Sequence, residues 1–197
     1  YIALAGFQMM NGLYDSAGAV LRTAVFKDST NQLVRLNLGL QKLFTGDTIA
    51  AKEMLLAVSS QGGPGSTEAK ILLGHLYLAS RERAERGRAI PKFQEAIAAL
   101  QSRTTSHDIS PADQMWLGMA FVGLDDQSNA LSSLQTADYL ETRPFYRGMI
   151  SLWLGKAADL RGERDVALGY YNAVLAGSSA HYTQIEARRY RETPYTQ

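Results

Sequence analysis

One arrangement of apolar positions recurs five times along the chain: an alanine, three residues, a large apolar residue, two more, and a small apolar one. The instances are Ala17, Leu21 and Ala24; Ala51, Leu55 and Val58; Ala89, Phe93 and Ala96; Ala130, Leu134 and Ala137; and Ala167, Tyr171 and Val174. Offsets of four and seven fall on one face of a helix, so each instance predicts a helix with a single packed stripe. The small first residue lets a neighbouring helix come close, and the large one fills the space beside it.

Ahead of each instance lies a second apolar segment with a small residue at its waist: Leu4-Ala5, Leu38-Gly39, Leu73-Gly74, Leu117-Gly118 and Leu154-Gly155. These waists recur at intervals of 34, 35, 44 and 37 residues, so the unit absorbs insertions without losing register. Turn residues separate the two segments of most units, at Asn11-Gly12, Thr45-Gly46-Asp47, Asp125-Asp126 and Arg161-Gly162-Glu163. Each unit therefore predicts an antiparallel helical hairpin, with helix A before the turn and helix B after it.

The pattern resembles the tetratricopeptide repeat (TPR), whose consensus carries Leu-Gly on helix A and Ala-x3-aromatic on helix B. The fifth unit matches best, through Leu154-Gly155, Gly162, Ala167, Tyr171 and Val174. The consensus tryptophan early in helix A is missing, and the terminal proline is absent or displaced. The resemblance implies an all-α fold, a right-handed α–α superhelix built as a TPR-like solenoid of antiparallel helix pairs. It covers 1–197 as a single array, with repeats at about 1–30, 32–62, 67–103, 111–143 and 148–178 and a capping helix over 180–192. In this register Tyr1 falls inside a helix A, which predicts that further chain precedes it in a longer protein.

Insertions account for the uneven spacing. The run from Arg81 to Arg88 alternates charges four apart and predicts a self-paired, solvated extension of the third helix A. Pro91 suits a first turn, so the following helix B is expected to begin near Arg88 or Ala89. The segment from Gln101 to Ser110 reads as a polar loop ahead of a helix opened by Pro111, and Gly62 to Ser66 as a linker. The final segment carries Tyr182, Ile185 and Tyr190 beside Arg188, Arg189 and Arg191, and suits a helix that covers the last hairpin.

The resemblance also implies that the A helices line a concave groove. Its lining would include Leu33, Leu36, Leu40, Leu43, Phe44, Ile71, His75, Met115, Met119 and Leu152 as partner-binding residues. Lys156 and Asp159 fall at inward positions of the fifth helix A, where the other units are mostly apolar. Five of the six methionines map to inward positions, and methionine adapts to apolar partners of differing shape. The Lys/Asn/Arg clamp with which co-chaperone members hold a terminal carboxylate is not reproduced; only Asn37 matches it. An apolar or amphipathic peptide segment is the expected occupant. The same apolar stripe also suits core packing, a second copy forming a homodimer, or filling by the protein's own upstream chain.

Composition narrows the field from the other side. A net charge of +1 over 197 residues argues against nucleic acid, and no apolar run approaches the roughly 20 residues that span a bilayer. With no cysteine, disulfides and thiolate chemistry are excluded, and the compartment is left open. His75, His107 and His181 lie on different elements with no carboxylate at ligand spacing, so no metal or cofactor is expected. Gly62 to Thr67 lacks the Lys-Ser/Thr ending of a phosphate loop. Asp125-Asp126 reads as a turn, and Arg188 to Arg191 as a solvated face. The chain is expected to be a non-catalytic protein–protein interaction scaffold or adaptor. The alternatives are a self-association module, or an accessory region of a larger enzyme or sensor.

Overall fold

The computed structural model describes residues 1–104 and 110–197, so His107 and half of the loop expected from Gln101 to Ser110 lie outside the described residues. The described residues form twelve helices and no strand. The hairpins are α1 (Ile2–Met10) with α2 (Tyr14–Lys27), α3 (Gln32–Phe44) with α4 (Thr48–Gln61), and α5 (Ser66–Leu78) with α7 (Ala89–Thr104). They continue with α8 (Pro111–Gly123) and α9 (Gln127–Leu140), then α10 (Pro144–Leu160) and α11 (Arg164–Ala176). A short helix α6 (Arg83–Arg86) interrupts the third hairpin, and α12 (His181–Glu192) ends the array.

Local chemistry sets the boundaries. The side chains of Asn31, Asp47, Ser110 and Asp126 each accept from a backbone N–H one turn into α3, α4, α8 and α9. Each cap satisfies a donor the helix cannot satisfy itself. Pro111 and Pro144 occupy first turns, where their missing N–H costs nothing. The hairpin turns need one residue in the left-handed region, supplied by Gly46 and Gly162. In the fourth hairpin Asp125 takes that conformation at φ 58°, which a short polar side chain tolerates.

The spacing of small and large positions becomes direct packing. A methyl group added at Gly74 would lie 2.5 Å from Phe93, at Gly118 2.4 Å from Leu134, and at Gly155 2.4 Å from Tyr171. Those large partners, like Leu55 against Gly39, are fully buried. Hydrophobic contact runs continuously from Leu36 to Ala157 through hairpins two to five, with a second cluster joining hairpins one and two.

Helix neighbours reveal the curvature. Each B helix packs on its own A helix and on the next one, as α2 does on α1 and α3. The A helices also touch one another, α1 with α3, α5 with α8, and α8 with α10. A layer in which alternate helices meet is the inner layer of a superhelix, so the A helices form the concave side.

The third hairpin departs from expectation. Helix α5 stops at Leu78 instead of extending through the charged run, and α6 stands apart from it. Ser80 Oγ accepts from the Glu82 backbone N–H at 3.2 Å, and Glu82 is extended, which breaks the helix. Glu85 pairs across the groove between helices with Lys52 of α4. The residues from Gln101 to Thr104, expected as loop, complete α7.

Candidate functional site

The inner layer places the ten expected groove residues unequally. Leu36, Ile71, Met115, Met119 and Leu152 are buried, because the A helices pack tightly against their neighbours. Leu40, Leu43, Phe44 and His75 are half-buried. Only Leu33 stays open, at 41% exposure. An inner face bared along its whole length is therefore not what these residues make: half of them are core.

Helix α12 covers part of the remainder. The expected capping helix packs on α10 and α11, and it also reaches across to α1, the opposite end of the array. At its first turn Tyr14 Oη and His181 Nδ1 lie 3.0 Å apart. The Tyr182 ring sits 4.4 Å from the ring of Phe44, centroid to centroid. One turn further in, Lys156 Nζ of α10 donates to Glu186 Oε2 at 3.5 Å. The short segment after α12 continues along the same side, with Tyr195 against Tyr190 at 5.3 Å and the Gln197 amide donating to the carbonyl of Val122.

Two buried charges organise this contact. Lys156 is 4% exposed, and its ammonium lies over the rings of Trp153 (4.1 Å), Tyr190 (4.9 Å) and Tyr195 (5.2 Å). An aromatic cage of this kind attracts a cation electrostatically. Burial lowers the Lys156 pKa to about 8, while the Glu186 carboxylate pulls it back up. The ammonium therefore stays charged at neutral pH. Burial likewise pushes the Tyr195 phenol up to about 12.

Asp159, one turn along α10, has a side chain only 1% exposed. Arg164 donates from one guanidinium nitrogen to both of its oxygens, at 2.9 and 3.1 Å. The Tyr171 hydroxyl and the Tyr195 backbone N–H each donate to it at 2.8 Å. Arg164 uses its other terminal nitrogen to hold the carbonyl of Arg191 at 2.8 Å. One carboxylate thus joins α10, α11 and the C-terminal segment.

His75 lies on the other side of this cluster, with its ring 4.7 Å from Trp153 and 4.9 Å from Phe93. Burial, reinforced by the nearby Lys156 charge, lowers its pKa to about 3. A neutral imidazole facing a carbonyl must carry its proton on that nitrogen, so Nε2 donates to Met119 O at 3.0 Å. His75 is a packed, hydrogen-bonded lining residue. An open cleft of about 540 Å³ between α9 and α11 is lined by Gln135, Tyr139, Arg147 and Tyr170 among others. Its Arg147 is already paired with Asp138 at 3.3 Å.

Lys156, Asp159 and Glu186 were absent from the groove set expected from sequence. The available signal was the pair of charges at inward positions of the fifth helix A. Their partners sit on α12, a segment legible only as a cap, so nothing in the repeat pattern paired them.

No helix among the described residues is long and apolar enough to cross a membrane. No family model matches the chain, and no curated protein matches it. Among solved structures, the chain is similar to TTC0263, a thermophilic TPR protein of Thermus thermophilus. That match has a TM-score of 0.64 and 19% identity, covering 98% of this chain and 95% of the other. It is also similar to the TPR-like repeats of a putative kinesin light chain of Podosopora anserina, with a TM-score of 0.50 and 19% identity over 95% and 94% of the two chains. Identities this low speak to the fold alone. With the hairpin packing above, they establish that the chain folds as a TPR-like, all-α superhelical repeat protein.

Proposed function

We propose that the chain is a non-catalytic protein-interaction scaffold whose inner face receives an apolar or amphipathic polypeptide segment. The observation that carries this reading is α12, a helix already lodged on that face by aromatic contact with Phe44 and by pairing with Lys156. A surface that accommodates one amphipathic helix has the curvature and the chemistry to accept another. The alternative sources of an occupant, a second copy or a neighbouring region of a longer protein, use the same surface.

Leu33 is the discriminating residue, because it is an open apolar side chain of the expected lining. Leu36 is unsuitable, since a charge at that buried position would disturb the core. Full-length protein and its Leu33→Glu variant should have indistinguishable circular dichroism and melting curves. Affinity capture followed by mass spectrometry is expected to recover a partner with the parent protein and to lose it with the variant. Identical capture by both would remove this part of the inner face from the interaction, and sedimentation at several concentrations then reads self-association directly.

A further inference from the structure

The C-terminal segment is fastened in an unusual way for a structural cap. The α12 side chains that are fully buried are small, Thr183 and Ala187. The remaining fastenings are polar or aromatic: Lys156 to Glu186, Asp159 to the Tyr195 N–H, and Arg164 to the Arg191 carbonyl. A buried ion pair contributes little net stability against an apolar equivalent, because desolvation offsets the attraction, but it does define which partner fits and in what register. Helix α12 also begins at Ala180 with no side-chain cap.

The chain is anchored just before α12. Ser179 is tied to α11 through a hydrogen bond from its Oγ to the Val174 carbonyl at 2.9 Å. The close approach of Ser179 to Gly148 fixes it against α10 as well. Rotation about Ala180 would therefore release α12 while leaving α11 in place. Release would leave Lys156 and Asp159 on the inner face without their α12 and tail partners, a cation and an anion one helical turn apart.

We propose that residues 181–197 are a resident ligand of the inner face, exchangeable for a partner helix that presents a carboxylate to Lys156 and, from the non-helical tail that follows it, the backbone N–H of an aromatic residue to Asp159. The inference deepens the proposed function: it names the partner's chemistry and makes the chain's own 181–197 segment its competitor. Charge complementarity selects the partner, since Lys156, left beside Trp153 when Tyr190 and Tyr195 depart with the segment, is matched by an acidic side chain and not by a basic one. A tethered segment competes at a high effective concentration, so a free partner gains access in proportion to how far the resident contact is weakened.

The test uses the full chain and a fluorescent synthetic peptide of residues 181–197, read by anisotropy. The Glu186→Gln protein keeps the shape of α12 and removes its charge pairing. It is expected to bind the peptide about tenfold more tightly than the parent protein does. The same peptide carrying Gln in place of Glu186 should bind that variant about tenfold more weakly than the unaltered peptide. In a Lys156→Met protein, whose apolar side chain fits the cage, the two peptides should bind alike. The proposal is overturned if the folded Glu186→Gln protein binds neither peptide, or binds both equally. Failure here would leave the Leu33 result standing, because that experiment detects a partner whether or not α12 is displaced.

Discussion

Replacing Asp159 with alanine is expected to destabilise the protein by about 3–5 kcal/mol, the range for breaking a buried charge pair from one side. The carboxylate is withdrawn from water and accepts from Arg164, from the Tyr171 hydroxyl and from the Tyr195 N–H. Its removal strands the fully buried Tyr171, whose phenol burial already disfavours as an anion. Arg164 is partly solvated and recovers some of its loss to water, which places the effect toward the lower end of the range. Asp159→Asn retains the volume and one acceptor and should cost less. Urea denaturation measures both. A midpoint unchanged in the alanine variant would mean that the carboxylate is not the junction described.

Acid should destabilise the protein through His75. The folded pKa is about 3, against an ordinary value of 6.5. Between these values the unfolded chain holds a proton that the folded chain does not, so unfolding gains as pH falls. The contribution is fully present above about pH 6.5 and is lost progressively toward pH 3, at most about 5 kcal/mol in all. His75→Phe keeps an aromatic ring beside Phe93 and Trp153 and should abolish this part of the slope, at the cost of the bond to Met119. A residual slope should persist below pH 4.5, where Glu141 of the unfolded chain takes up a proton that the folded carboxylate, held down to about 2 by Arg143, does not. Lys156 acts at the other end: unfolded, it keeps its proton to about pH 10, so its burial penalty is relieved as pH rises above 8. Thermal unfolding of the parent and the His75→Phe variant from pH 3 to 7 reads the acid slope, and parallel curves would exclude His75 as its source.

The hairpins were legible because their determinants are local. Small waists at Gly74, Gly118 and Gly155 and large partners at Phe93, Leu134 and Tyr171 repeat at fixed offsets, and the structure brings each pair into contact. Pro111 similarly announced the start of α8. The break after Leu78 was not legible, since a charged run reads equally well as solvated helix or as an extended link. The inner face was legible in composition but not in exposure. Whether Met115 and Met119 line a groove or fill a core depends on how closely successive A helices wind, which repeat spacing does not encode. The meeting of α12 with Tyr14 and Phe44 joins residues more than a hundred positions apart, beyond the reach of any periodic signal.

Amide hydrogen exchange on the full chain tests most directly whether the inner face holds α12 as a separable occupant. Segments of low local stability open before the whole molecule does, and they exchange at a correspondingly lower free energy. The amides of 181–192 should be protected, yet exchange well before those of α10 and α11 and by a step that leaves both helices intact. Exchange of α12 only through global unfolding would make it a fixed part of the core, and absence of any protection would mean that it does not lie on the inner face at all.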